Sequence, residues 1–211
     1  MAWYKFKAPS LPLPPKVYDQ RQQDQFENAL RLYFNRLDDA LHALSANDGG
    51  KLLGFPHIAA SDNTDQYAGG NNTPTVVAWS SADSIIGWTL NAPGSATPDQ
   101  TGVYKITYSL QLVNNDTASE HTAVVWLEVD GVGVDNSTTY FTLPKAASAN
   151  TYVCAYSEVV FTIVASSEVE LVWATDKAAT SGGTKGIFIE ALPTQSSPYV
   201  RPAVPSAIGS I

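Results

Sequence analysis

Cysteine is nearly absent from this chain. Cys154 is the only one in 211 residues, which excludes an intramolecular disulfide framework and any metal site built on several thiolates. Histidine is scarce as well. His42, His57 and His121 lie far apart, none beside another His or Cys, so metal-ligand spacing is missing. No apolar run approaches the ~20 residues of a membrane-spanning helix. Met1-Ala2-Trp3-Tyr4 lacks the charged start and apolar block of a secretion signal, so synthesis in a cytoplasm is expected. Only 15% of residues are charged and the formal net charge is −8. That leaves no basic field with which to neutralise nucleic-acid phosphates. A nucleophile elbow, a P-loop and a dinucleotide-binding glycine pattern are all missing. No catalytic residue, cofactor or metal is expected, and the chain reads as a non-enzyme.

Two weaker chemical signals each have a bland reading beside them. Asp62-Asn63-Thr64-Asp65 and Asn114-Asn115-Asp116 offer oxygens that calcium could accept, but turns use Asp and Asn for backbone reasons just as readily. Glu168 and Glu170 share one side of a strand about 7 Å apart, and read as a solvated face with no visible pocket, not as a glycosidase pair.

What is present is apolar alternation, 44% of the residues being hydrophobic. In Thr101–Val113, Tyr104, Ile106, Tyr108, Leu110 and Leu112 fall on one side of an extended chain, while Lys105, Thr107, Ser109 and Gln111 fall on the other. This period of two marks a strand with one buried face, which needs a second apolar layer to cover it. Candidate strands follow from Phe55 to Leu192: Phe55–Ala60, Thr75–Ser80, Ile86–Leu90, Gly102–Val113, Thr122–Val129, Ser137–Leu143, Tyr152–Val164, Val169–Ala174 and Gly186–Leu192. Short strands at this spacing, with no helical pattern between them, predict an antiparallel β-sandwich or jelly roll over residues 52–192. Asp130-Gly131 and Gly182-Gly183 are tight-turn signals. Cys154, inside an apolar run, is expected to be a small core residue. Trp79, Trp88, Trp126 and Trp173 are stacking platforms if exposed, and core residues otherwise.

Residues 1–18 form a proline-rich arm. Pro9, Pro12, Pro14 and Pro15 favour extension, yet Trp3, Tyr4, Phe6, Leu11, Leu13 and Tyr18 are too apolar for a solvated tail. The arm either folds back on its own domain or docks onto another subunit or a larger assembly. Lys5, Lys7 and Lys16 make it basic against an acidic body.

Residues 19–48 hold the one convincing helix, with Asp19 as N-cap and Asn47-Asp48-Gly49-Gly50 as its stop. Phe26, Leu30, Tyr33, Leu37, Ala40 and Leu44 recur at intervals of a heptad seam. With no second helix to receive that seam, self-association of a trimeric coiled-coil type is expected. Residues 193–211, with Pro193, Pro198, Pro202 and Pro205, read as a second, C-terminal arm. Greasy extensions at both ends of a compact domain suggest a subunit that shares arms with neighbours.

Two resemblances add to this reading. Gly102-Val103-Tyr104-Lys105-Ile106-Thr107-Tyr108 is similar to a characteristic strand of the tumour-necrosis-factor and complement globular-head jelly roll, and Gly186-Ile187-Phe188-Ile189-Glu190-Ala191-Leu192 resembles its last strand. The resemblance covers about 140 residues (from Leu52 to Leu192). It implies a homotrimer around a threefold axis with aromatic residues in the interface. Tyr104, Tyr108 and Phe188 are the candidates by position, with core burial the rival for each. The leader Leu11-Pro12-Leu13-Pro14-Pro15-Lys16-Val17-Tyr18-Asp19-Gln20, with Leu32-Tyr33-Phe34-Asn35-Arg36-Leu37-Asp38, resembles the N-terminal segment of tailed-bacteriophage fibre, spike or head-decoration subunits. It implies that arm and helix attach the protein to a virion while the jelly roll projects. Other capsid or tail proteins, and a host-surface glycan, are the partners so implied. A soluble trimeric lectin-like or receptor-ligand module is the alternative.

Overall fold

The computed structural model describes residues 19–45, 55–91, 94–147 and 150–211, in two compact units, Met1–Phe55 and Pro56–Ile211. In the first unit, helix α1 spans Gln20–Ser45. Asp19 caps it as expected: its carboxylate Oδ1 accepts the Arg21 N–H at 2.9 Å and its carbonyl accepts the Gln23 N–H at 3.1 Å. The stop signal at residues 47–50 lies outside the described residues.

Among its described residues the second unit is an antiparallel sandwich of thirteen strands: β1 (His57–Asp62), β2 (Thr75–Val76), β3 (Ser81–Ile86), β4 (Trp88–Asn91), β5 (Ser95–Pro98), β6 (Gly102–Asn114), β7 (His121–Val129), β8 (Val132–Gly133), β9 (Thr139–Leu143), β10 (Thr151–Ile163), β11 (Val169–Thr175), β12 (Ile187–Ile189) and β13 (Ala207–Ser210). One sheet runs β10-β6-β13-β1-β3, with β12 also on β6. The other runs β4-β5-β11-β7-β8, with β2 on β11 and β9 on β7. Neighbours such as β6 and β13, or β5 and β11, are distant in sequence. That weaving of strands between two facing sheets is a jelly roll.

Alternation builds the core as the sequence predicts. From β6, Tyr104, Ile106, Tyr108, Leu110 and Leu112 point inward. Ala123, Val125 and Leu127 of β7 and Val169, Leu171 and Trp173 of β11 face them, all buried. Asp130 and Gly131 both adopt positive φ (52° and 74°) and join β7 to β8 with Val129 opposite Val132. Two positive-φ residues are what the favoured two-residue hairpin turn requires.

The reading of residues 193–211 as an arm is corrected. Beyond Pro205 the chain enters the middle of a sheet, where β13 pairs on one side with β1 (Ala59 opposite Ser210, Asp62 opposite Ala207) and on the other with β6 (Leu110 opposite Ala207, Thr107 opposite Ser210). Ile211 and Ile58 then exchange both backbone hydrogen bonds, at 2.8 and 3.0 Å. The prolines confine extension to residues before Ser206, and the residues after it keep every N–H a central strand needs. Gly209 is required by contact. A Cβ placed there would lie 2.6 Å from Cζ2 of Trp79, which lies against the strand. A buried polar network locks the entry. The Ser206 hydroxyl donates to the Asp62 carbonyl (3.1 Å), and Gln66 Nε2 donates to Ser206 Oγ (3.2 Å) and to the Ala78 carbonyl (3.0 Å). The Gln66 side-chain oxygen takes the Ala78 N–H at 2.8 Å.

Candidate assembly face

The two sheets turn different surfaces outward. On the β10-β6-β13 side, residues of the parity opposite to the core stand free, among them Val103, Tyr152, Tyr156, Val160 and Ile208, each between 47% and 71% exposed. Register sets them side by side: Tyr156 opposite Ser109 opposite Ile208, then Glu158 opposite Thr107 opposite Ser210, then Val160 opposite Lys105. The polar groups between them are spent on each other. Lys105 Nζ meets Glu158 Oε2 at 2.8 Å, the Thr107 and Ser210 hydroxyls meet at 2.6 Å, and Ser109 Oγ lies 3.2 Å from Cys154 Sγ. On these three strands the face is thus electrically neutral. Three strands about 4.8 Å apart, of thirteen, thirteen and four residues, give it an area on the order of 500 Å², less than the ~800 Å² that each partner contributes to a standard interface.

The outer side of the other sheet is acidic. Glu170 of β11 stands directly opposite Glu128 of β7, and Glu168 is two residues along. Burial, with the charges of Glu168 and Glu128 added, pushes the Glu170 carboxyl above its ordinary range. The Ser95 hydroxyl donates to Glu168 Oε1, and Trp126 Nε1 donates to Glu128 Oε1 at 2.7 Å. Like charges paired across strands repel, so this side disfavours contact with another copy of itself.

Several expected site residues land elsewhere. Tyr104, Tyr108 and Phe188 are 8%, 2% and 5% exposed. Each is covered within its own chain, which is the core burial that rivalled an intersubunit contact. Tyr104 packs edge-on against Trp88 with centroids 5.0 Å apart, and Phe188 stacks on Tyr67 at 5.4 Å. Cys154 is exposed, not core, because the register puts it on the outer side of β10. Trp79, Trp88 and Trp173 are buried and only Trp126 is half-exposed, which settles most of the tryptophans as core. On α1, Leu30, Tyr33 and Leu37 are half-buried, and Phe26 is 39% exposed. The side chain of Leu44 lies outside the described residues, as do Trp3, Tyr4, Phe6, Leu11, Leu13 and Tyr18. Among the described residues no group of His, Cys, Asp and Glu could hold a metal ion, and no helix is long and apolar enough to cross a membrane. The Asp/Asn turns spend oxygens on local backbone: Asp62 Oδ1 takes the Thr64 N–H (2.8 Å) and Asn114 Oδ1 the Asp116 N–H (2.9 Å).

Sequence reasoning missed the outward row of β10. Its signal was there to find, since in TYVCAYSEVVFTI both parities carry large apolar residues, Tyr152, Tyr156 and Val160 on one and Val153, Val159 and Phe161 on the other. A strand apolar on both sides belongs between two layers.

At the upper margin of this face Glu190 is held against its chemistry. Its Oε2 is buried with no partner among the described residues. Burial, aided by the charge of Asp65, raises its carboxyl above the usual range against the opposing hydrogen bond with Tyr152. A raised folded-state pKa stabilises only while the group is protonated, and that contribution is lost as pH rises through it. Glu190→Gln should therefore raise the melting temperature near neutral pH and change it little at about pH 4, where the wild-type carboxyl is itself protonated; thermal unfolding at both values checks this. A shallow cavity of about 220 Å³ beside it is lined by Asn63, Asp65, Leu192, Pro193 and Val204, among others.

No family model matches the sequence, and no curated protein matches it. Among solved structures the chain is similar to the globular domain of zebrafish complement 1qA protein, at a TM-score of 0.43 and 11% identity, over 74% of this chain and 93% of that one. It is also similar to murine APRIL, crystallised at pH 5.0, at a TM-score of 0.41 and 15% identity, over 74% of this chain and 96% of that one. The bacteriophage likeness of residues 11–38 rests on those residues alone.

Proposed function

We propose that this protein is a non-enzymatic homotrimer, a structural component of a phage virion whose arm and helix attach it to the particle while the jelly roll projects. The observation that carries the trimer is the neutral, apolar outer face of β10, β6 and β13, with its exposed Tyr152, Tyr156, Val160, Val103 and Ile208. Large apolar side chains exposed together on one sheet face mark a candidate interaction site. A chain of net charge −8 meets its own copies most cheaply where the surface carries no net charge. β10, thirteen residues long, pairs among the described residues with β6 alone, so it also offers an edge. Face of one copy against edge of the next is a heterologous contact, and three copies close it into a ring. The heptad seam Phe26, Leu30, Tyr33, Leu37 and Leu44 supports the same stoichiometry. The virion role is supported by the apolar arm and by the likeness of residues 11–38 to phage subunits.

Light scattering at tens of micromolar should give three times the chain mass. Val160→Arg should reduce it to one while leaving the circular dichroism of the sandwich unchanged. A wild-type monomer would end the trimer reading. Deleting residues 1–45 should abolish retention on purified particles and leave the sandwich folded; retention that survives the deletion would favour a receptor-binding role for the head.

A further inference from the structure

We infer that His121 is a pH-sensitive clasp at one end of the sandwich, holding the loop between β6 and β7 closed while its ring carries two protons and releasing it when one of them leaves. The ring lies between two carboxylates. Nε2 is 3.0 Å from Asp116 Oδ2 and Nδ1 is 3.4 Å from Asp176 Oδ2, and the histidine side chain is only 11% exposed. An ionised carboxylate can only accept, so the ring satisfies both neighbours only as the imidazolium, with an N–H at each nitrogen. A neutral ring donates at one nitrogen and sets a lone pair against a carboxylate at the other. Little water reaches so covered a ring to relieve that mismatch. The inference holds whether the chain is single or assembled.

Each aspartate is also held from a second direction. Asp116 Oδ1 accepts the Ala118 N–H at 2.8 Å, and Asp176 Oδ1 accepts the Thr122 N–H at 3.0 Å. Lys177 adds its charge to that of His121 in favouring the ionised Asp116, and Glu120, exposed, is the charged neighbour along the chain. Three connections meet at this point. The Asp116 carbonyl accepts the Ala146 N–H, after β9, at 2.8 Å. Asn115 and Gly186, before β12, exchange two bonds, at 3.1 Å to the Gly186 carbonyl and 2.9 Å to the Asn115 side chain. Residues 117–120 are all exposed, and the His121–Asp116 contact closes them at their base, so its loss loosens them first. Loops gathered at one end of a rigid scaffold are where binding residues concentrate. The range of the clasp follows from its members. The Ala118 N–H and then His121 hold the Asp116 carboxyl below its ordinary range, so its share is lost only as pH falls through that lowered value. The share of the imidazolium has the opposite sign and is lost as pH rises and the ring gives up its second proton.

The test is amide hydrogen exchange of the full-length chain from about pH 4 to about pH 9, a span that brackets histidine titration, corrected for the intrinsic pH dependence of exchange. The Asp116 and Ala118 amides, bonded to Asn114 Oδ1 and Asp116 Oδ1, should lose protection about tenfold in one step as pH rises, what a hydrogen bond to a charged group is worth. The ring signals of His121, followed by NMR, should titrate with the same midpoint. His121→Gln should abolish the step and leave the loop open at every pH, with β6 and β7 still protected. Asp176→Asn keeps an oxygen for the Thr122 N–H but takes the carboxylate from Nδ1, so the step should persist and move to lower pH. No step in the wild type, or a step that survives His121→Gln, overturns the inference. Should His121→Gln fail to fold, Asp176→Asn decides alone, and an unmoved step overturns it equally.

Discussion

Removing residues 207–211 is expected to abolish cooperative folding of the jelly roll, not merely to trim an exposed tail. β13 is hydrogen-bonded along both edges, so its loss would leave β1 and β6 with unsatisfied backbone groups facing a slot. Trp79, 3% exposed and lying against Gly209, would open to water, and Ser206, whose hydrogen bonds with Asp62 and Gln66 guide the strand in, would be left as a chain terminus. Each unsatisfied buried group costs about 1–3 kcal/mol, against a total stability of roughly 5–15 kcal/mol for a domain. Circular dichroism and a melting curve of the truncated chain decide the matter. A sharp transition near the wild-type temperature would show that the sheet closes without β13. Deletion of residues 1–15, by contrast, should leave the melting curve of the sandwich nearly unchanged.

The second large effect separates two tryptophans that sit on adjacent strands but on opposite sides of their sheet. Trp173 of β11 is fully buried, with Val125 as its cross-strand partner, while Trp126 of β7 is half-exposed and pairs with Val172. Trp173→Ala should cost about 3–5 kcal/mol, the lost transfer energy plus the cavity it leaves. That is a fall in melting temperature of about 10 °C or more. Trp126→Ala removes a ring lying over the outer surface and a hydrogen bond to Glu128, and should cost only about 1 kcal/mol. Chemical denaturation of both variants measures the difference. Equal costs would mean that the inward and outward sides of this sheet had been exchanged.

The strands of highest alternation were legible from residues alone. β6, β7 and β11 fall where the period-two pattern puts them, and Asp19 caps the helix as its position suggests. Strands without an apolar row were not. β3, SADSII, is exposed along nearly all its length and is held by backbone pairing with β1, so side-chain chemistry never marked it. β13 was hidden by four prolines before it and by Gly209, which reads as a breaker until Trp79 is seen against it. The outward row of β6 and β10 was missed for a different reason. Tyr104 and Tyr108 belong to the strongest apolar row in the chain, and a row that strong is claimed by the chain's own core first. What stands on the outer side is the weaker row, Lys105 to Gln111 on β6 and Tyr152 to Val160 on β10, where polar and apolar residues mix and no simple periodicity announces them.

The place of β13 also bears on how the molecule is made. A ribosome releases β1 and β6 well before β13, the strand that joins them. Until then the two halves of that sheet have no bridge, and the nascent polypeptide must keep Trp79 and the inward side of β6 from sticking elsewhere. Pairings between segments so remote in sequence form slowly, so synthesis should outpace closure. The sheet would then stay open for a period set by when β13 emerges.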